Sequence, residues 1–137
     1  MRFVLLATLA WLTAPVIAND KLVDLPTIIG KTQPEAEKII GDPAGCNQSK
    51  YGLQCTYNLA EMEIVYIDGK ADWITVEAMD DSQFEPAAML RLGLDLGEPS
   101  FKSDFILRWE PAGDLLSVSL FKGAQNADYA YVKAVTP

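Results

Sequence analysis

The sequence predicts an α+β fold, in which one antiparallel sheet of about six strands carries helices packed on one face. Two helix-start signals support this prediction, and each is followed by three short runs with strand character. Helices are therefore grouped with runs of strands and do not alternate with single strands. The chain has 137 residues, of which 50% are hydrophobic, which suits one domain with its own core.

The N-terminus, residues 1–18, is predicted to be a secretory signal peptide. Arg2 supplies a positive start, residues 3–12 form an apolar run, and Ala18 ends a small-residue cleavage site. The apolar run is too short to span a bilayer, which needs roughly 20 residues. We therefore expect a single mature domain over residues 19–137, periplasmic or secreted and without a membrane anchor. An uncleaved anchor is the alternative interpretation.

The first helix is predicted to begin at Thr32, which forms a capping box with Glu35. Pro34 fits the first turn, where its missing N–H costs nothing. Gly41 sits where a left-handed residue would end the helix, and Pro43 prevents the helix from resuming. The helix is short and must pack against another element to be stable.

The two cysteines, Cys46 and Cys55, are predicted to form a disulfide, because paired cysteines in an exported chain are usually bonded. The polar segment between them is typical of a turn. Reactive thiols are the competing interpretation, but the chain lacks the C-x-x-C spacing of a redox motif.

Alternating and β-branched runs predict the strands of both halves. They are residues 53–59, 61–67, 73–78, 103–109, 115–121 and 128–135. A second capping box at Ser82 and Glu85 predicts a helix over residues 84–92 between the two sets. The chain can thus be divided into two α-β-β-β repeats, residues 30–78 and 82–135.

The stretch over residues 30–43 carries Gly30, Thr32, Glu35, Gly41 and Pro43 in a Gly-x-Thr-x-x-Glu-…-Gly-x-Pro pattern. It resembles the helix of small outer-membrane assembly lipoproteins and the repeats of secreted β-lactamase-inhibitor proteins. The second resemblance implies a cystine loop and antiparallel strands after the helix, and an inhibitory function. The chain departs from these families because no lipid-attachment cysteine follows residue 18 and the second half has no cystine.

The composition argues against several classes of function. The net charge of −8 repels phosphate backbones, so a basic protein is an easier partner than a nucleic acid. There is no histidine, which removes the usual general base and the commonest zinc ligand. The acidic cluster of Asp80, Asp81 and Glu85 fits a helix N-terminus better than a calcium loop. We expect no catalytic residues, no metal and no cofactor.

The alternation of the strands predicts a sheet face that combines aromatic rings, small hydroxyls and cations. Such residue types are typical of protein-binding surfaces. The residues predicted to form it are Trp73, Thr75, Arg108, Ser117, Ser119, Tyr129, Tyr131 and Lys133. In the competing interpretation, helices cover this face and the rings belong to the core.

These observations predict an exported periplasmic binding or inhibitor protein that holds a protein partner on this face. The alternative is a small-ligand binding module with a pocket between the sheet and the helices.

Overall fold

The computed structural model describes residues 20–137, so the predicted signal peptide lies outside the described residues. The strands are β1 (Gly45–Gln48), β2 (Leu53–Tyr57), β3 (Met62–Ile67), β4 (Lys70–Val76), β5 (Phe101–Lys102), β6 (Ile106–Trp109), β7 (Ser117–Lys122) and β8 (Ala127–Lys133). They form one antiparallel sheet in the order β1-β2-β3-β4-β8-β7-β6-β5. The helical elements are α1 (Gln33–Ile40) and 3₁₀ segments at Leu25–Thr27, Leu59–Glu61 and Pro86–Leu92.

The predicted α+β class is confirmed, but the sheet has eight strands and the prediction of about six was too low. The two missed strands, β1 and β5, are the edges of the sheet. β1 has the sequence Gly-Cys-Asn-Gln, its four residues are exposed, and its turn-like composition hides it from pattern analysis. β5 has only two residues, too few to show any alternation.

The first helix is confirmed, and its start and end are set by the residues that predicted them. The hydroxyl of Thr32 accepts a hydrogen bond from the backbone N–H of Glu35 at 3.4 Å. Gly41 follows the helix with a φ of 90°, a conformation that a side chain would strain. Ala36 and Ile40, one turn apart, are buried and fix the helix to the sheet.

The second helix differs from the prediction in type and in start. It is a 3₁₀ segment, Pro86–Leu92, and Glu85 stands at its N-terminus without a side-chain capping bond. Ser82 does not cap it, because the Ser82 hydroxyl is buried and accepts a hydrogen bond from Arg91 Nη1 at 2.6 Å. The capping motif predicted that the Ser82 hydroxyl would accept a hydrogen bond from the helix backbone. It accepts one from the buried Arg91 instead.

Arg91 also ties the N-terminal segment to this helical segment. Its Nε donates to the carbonyl oxygen of Asp20 at 2.9 Å. The Arg91 carbonyl accepts from the N–H groups of Leu22 and Val23. A salt bridge of 2.5 Å to Asp81 completes its contacts. One buried guanidinium therefore joins two parts of the chain that lie far apart in sequence.

One face of the sheet and the helical elements share a single core. Its fully buried side chains include Ile64 and Ile74 from neighbouring strands of the first half. Leu120 comes from the second half, and Met89 and Leu92 come from the 3₁₀ segment between the halves. The helices therefore pack on this face, and the residues that alternate with the core residues point to the other side.

The two halves follow the same plan, a helical segment and then a meander of four strands. They meet where β4 pairs with β8, with Thr75 opposite Tyr131. The register shifts once in each half, where Asp72 has no partner on β3 and Asp128 has none on β7. These positions lie 56 residues apart. Each half has four strands where three were predicted, and duplication of the chain itself stays a prediction.

Candidate functional site

The candidate site lies on the face of the sheet opposite the core, which we call the open face. The strand register places all the predicted site residues there. One row across the sheet is Val65, Trp73, Lys133 and Ser117. The next row is Glu63, Thr75, Tyr131, Ser119 and Arg108, and Tyr129 lies two residues along β8.

Trp73 is the centre of the first cluster on the open face. Its ring lies 4.7 Å from the ring of Tyr51. Lys133 Nζ lies 5.4 Å from the Trp73 ring centroid and 5.8 Å from that of Tyr131, within range of cation–π attraction. Trp73 Nε1 also donates to the carbonyl oxygen of Thr136 at 2.9 Å. The indole is therefore held by a hydrogen bond at its edge and by contacts with an aromatic ring and an ammonium group.

Arg108 is the centre of the second cluster. Its Nε donates to the hydroxyl of Ser119 at 3.1 Å, and its guanidinium lies 5.8 Å from the Phe101 ring. Beside them the rings of Phe121 and Tyr129 stack, with centroids 4.5 Å apart. Ser119 is buried, so its hydroxyl serves to orient the arginine and cannot itself contact a large partner.

A cleft of about 360 Å³ lies between the two clusters. Its polar lining consists of Arg108, Glu110, Ser117, Ser119, Tyr131 and Lys133. Five of these six residues belong to the predicted site. The structure therefore brings together Arg108, Ser117, Ser119, Tyr131 and Lys133 around one cleft and leaves Trp73, Thr75 and Tyr129 outside its lining.

The open face carries charges of opposite sign at different places. Carboxylates line two adjoining clefts beside the C-terminal end of β4, the strand that lies between β3 and β8. These residues are Glu61, Glu63, Glu77, Asp80 and Asp128. Across the sheet from them, the cleft of about 360 Å³ carries the cations of Arg108 and Lys133.

Tyr131 lies between these two regions and keeps its proton. Burial raises the pKa of its hydroxyl, and the nearby Tyr51 and Glu63 raise it further. At neutral pH the hydroxyl is therefore a hydrogen-bond donor as well as an acceptor.

Sequence reasoning missed two aromatic residues and misplaced one aliphatic residue. Tyr51 lies in the turn before β2, and Phe101 lies on β5, outside the residues predicted to form strands. Phe121 was visible in the alternation of β7 as a neighbour of Ser119 on the same face. Leu116 alternates with Val118 and Leu120 in the predicted strand over residues 115–121, a pattern that predicts a core position. It is nevertheless 37% exposed and lines the cleft, because β7 begins only at the next residue.

The predicted disulfide is present between Cys46 and Cys55. The two cysteines face each other across β1 and β2, so the bond fixes an edge strand that has no other neighbour in the sheet. A disulfide is compatible with an extracellular location.

None of the helices in residues 20–137 is long and apolar enough to cross a membrane. Within the same residues, no group of three or more cysteine or acidic side chains is arranged to hold a metal ion.

Comparison of the chain with family models, curated proteins and solved structures finds no match. The resemblance to β-lactamase-inhibitor proteins and to outer-membrane assembly lipoproteins therefore stays a prediction.

Proposed function

We propose that the protein is an exported binding or inhibitor protein, periplasmic or secreted after cleavage near Ala18, that holds a protein partner on its open face. The observation that carries the proposal is the cluster of Tyr51, Trp73, Tyr131 and Lys133, whose rings and ammonium group contact each other. Aromatic residues fixed in this way lose little conformational freedom on binding, and they dominate protein interfaces.

The charge pattern supports a protein partner over a polyanion. The carboxylates around Glu61 and Glu77 and the net charge of −8 favour a partner that is basic where it meets them. Nucleic acid does not fit this surface. No catalytic role, metal or cofactor belongs to the proposal.

The alternative, a small-ligand module with a pocket between sheet and helices, has less support. The layer between them is filled by side chains such as Ile64, Met89 and Leu92, which have no exposed surface. A small ligand would have to use a surface cleft, and clefts of about 360 and 410 Å³ lie on the open face and beside the 3₁₀ segment. We therefore retain the protein partner as the proposed function.

The test is capture of partners from a periplasmic extract by the wild-type protein and by a Trp73→Ala/Tyr131→Ala variant. Loss of two aromatic anchors should weaken capture by about tenfold or more. Phe105→Ala is the matched control, because Phe105 is 70% exposed and lies beside Lys102 and Asp104, away from the open face.

Thermal melting of each variant establishes that it is folded. If the double variant and the control recover every partner as well as the wild type does, the open face is not the binding surface.

A further inference from the structure

We propose that the cleft between Arg108 and Lys133 receives a single carboxylate, presented by an acidic side chain on the surface of the protein partner. The inference rests on the proposed function and adds the chemistry by which the partner is recognised. It is carried by the charges, hydrogen bonds and shape of this cleft.

The first step concerns the two cations. The ion pairs found in residues 20–137 are Lys21 with Asp24 and Arg91 with Asp81. Neither Arg108 nor Lys133 has a carboxylate of this part of the chain within 4.0 Å. In a chain with 19 acidic and 11 basic residues, these two cations share one cleft, which Glu110 also lines, and neither forms an ion pair within residues 20–137. Their mutual repulsion is relieved when an anion enters between them.

Arg108 and Lys133 both have hydrogen-bond donors that no acceptor in residues 20–137 occupies. Arg108 uses Nε for Ser119, and no hydrogen bond from its Nη groups to an acceptor in residues 20–137 is present. These two groups form the end of the planar guanidinium, which matches the two oxygens of a carboxylate. Lys133 Nζ lies 5.4 Å and 5.8 Å from the ring centroids of Trp73 and Tyr131, and no hydrogen bond from it to an acceptor in residues 20–137 is present.

Neighbouring side chains orient the charged groups of Arg108 and Lys133. The hydrogen bond to Ser119 and the contact with Phe101 hold the guanidinium in place before any ligand binds. Two aromatic rings do the same for the ammonium group of Lys133. Binding therefore costs little side-chain entropy, which favours a defined acidic group over diffuse electrostatic attraction.

The fourth step identifies the anion. Glu110 and Pro137, the last residue of the sequence, line the same cleft, so its two cations already face resident negative charge and can accept one further negative charge at most. Leu116 and Phe121 supply apolar surface for the stem of a side chain. A doubly charged phosphate would be opposed by Glu110 and by the acidic surroundings of the cleft. A carboxylate side chain fits all of these features.

The partner surface is then defined in two parts. It carries basic residues opposite the carboxylates around Glu61 and Glu77, and one acidic residue opposite Arg108 and Lys133. This arrangement reconciles a basic partner with an acidic contact, and it fixes the orientation in which the partner is held.

The experiment titrates the full mature chain with capped pentapeptides that carry one central glutamate, glutamine or lysine among glycines. Backbone amide NMR shifts are followed at Ser117, Ser119 and Lys133, together with the Trp73 indole N–H. The glutamate peptide should give saturable shifts with a Kd on the order of 1 mM. The glutamine and lysine peptides should leave these signals unchanged.

Variants make the result specific. Arg108→Gln should weaken the glutamate peptide at least tenfold, because it removes the paired donors but can still bond to Ser119. Glu110→Gln should tighten binding severalfold by removing the resident carboxylate. Lys38→Gln, on helix α1, is the matched control and should bind as the wild type does.

The inference is overturned if the three peptides shift the signals equally, or if Arg108→Gln binds the glutamate peptide as well as the wild type. The two proposals fail separately. If the Trp73→Ala/Tyr131→Ala variant loses its captured partner while Arg108→Gln retains it, the open face binds a protein without an acidic anchor. If neither variant loses a partner, the proposed function fails.

Discussion

Replacement of Arg91 by methionine is expected to destabilise the fold by about 2–4 kcal/mol. The Arg91 residue is 6% exposed, and its guanidinium bonds to Asp20, Asp81 and Ser82. Methionine can fill the space of the aliphatic stem, but it cannot donate any of these hydrogen bonds.

The magnitude follows from what each partner can do afterwards. Ser82 is 1% exposed, and a buried hydroxyl left without its partner costs about 1–3 kcal/mol. The side chain of Asp81 is 66% exposed and Asp20 is also exposed, so water can replace the arginine at both. Losing these two contacts adds only about 1 kcal/mol together.

Thermal and urea unfolding followed by circular dichroism measure the effect, and the melting temperature should fall by roughly 8–16 °C. Lys122→Met, at an exposed lysine, is the matched control. In a double variant, Ser82→Ala should recover about 1 kcal/mol or more of the loss, because no hydroxyl is then left unbonded. The reasoning is refuted if Arg91→Met unfolds at the same temperature and urea concentration as the wild type, or if adding Ser82→Ala restores none of the lost stability.

Three further outcomes are expected. Changing Cys46 and Cys55 to serine should cost about 2–3 kcal/mol of stability yet leave a folded domain, as thermal melting with a free-thiol assay can check. Tyr57→Phe should cost about 1–2 kcal/mol in urea unfolding, because the buried Tyr66 hydroxyl loses its 2.7 Å partner. The hydrogen bond from the buried arginine lowers the pKa of Asp81, so its contribution is full above about pH 4 and is lost as the pH falls further. Asp81→Asn should therefore flatten the acid limb of the stability profile.

Much of the fold could be predicted because local signals and burial agree in it. Thr32 and Gly41 mark helix α1 in the sequence and bound it in the structure. The alternation of β7 places Val118 and Leu120 in the core, as expected from a strand with one buried face. By contrast, β1 depends on a disulfide and on pairing with β2, and neither contributes to a hydrophobic pattern.

The candidate site could likewise be predicted only in part from the sequence. The strand alternation was enough to place Trp73, Tyr131 and Lys133 on one face. It could not reveal the contact of Tyr51 with Trp73, because a turn residue has no fixed face until the turn is folded. Ser82 failed as a cap for a related reason, since its hydroxyl bonds to a buried arginine instead of the helix backbone.

The pairing of β4 with β8 has a consequence for how the chain matures. Every other neighbouring pair in the sheet joins strands consecutive in sequence, whereas the residues paired across this seam lie between 54 and 60 positions apart. During synthesis the first meander can close on itself, but one edge of β4 keeps its amides and carbonyls unpaired until β8 has been made. In that interval the edge can template pairing between chains, at Ile74 and Val76 above all. The seam therefore cannot form until the chain has been synthesised as far as β8, and an incomplete chain leaves this edge of β4 open to association.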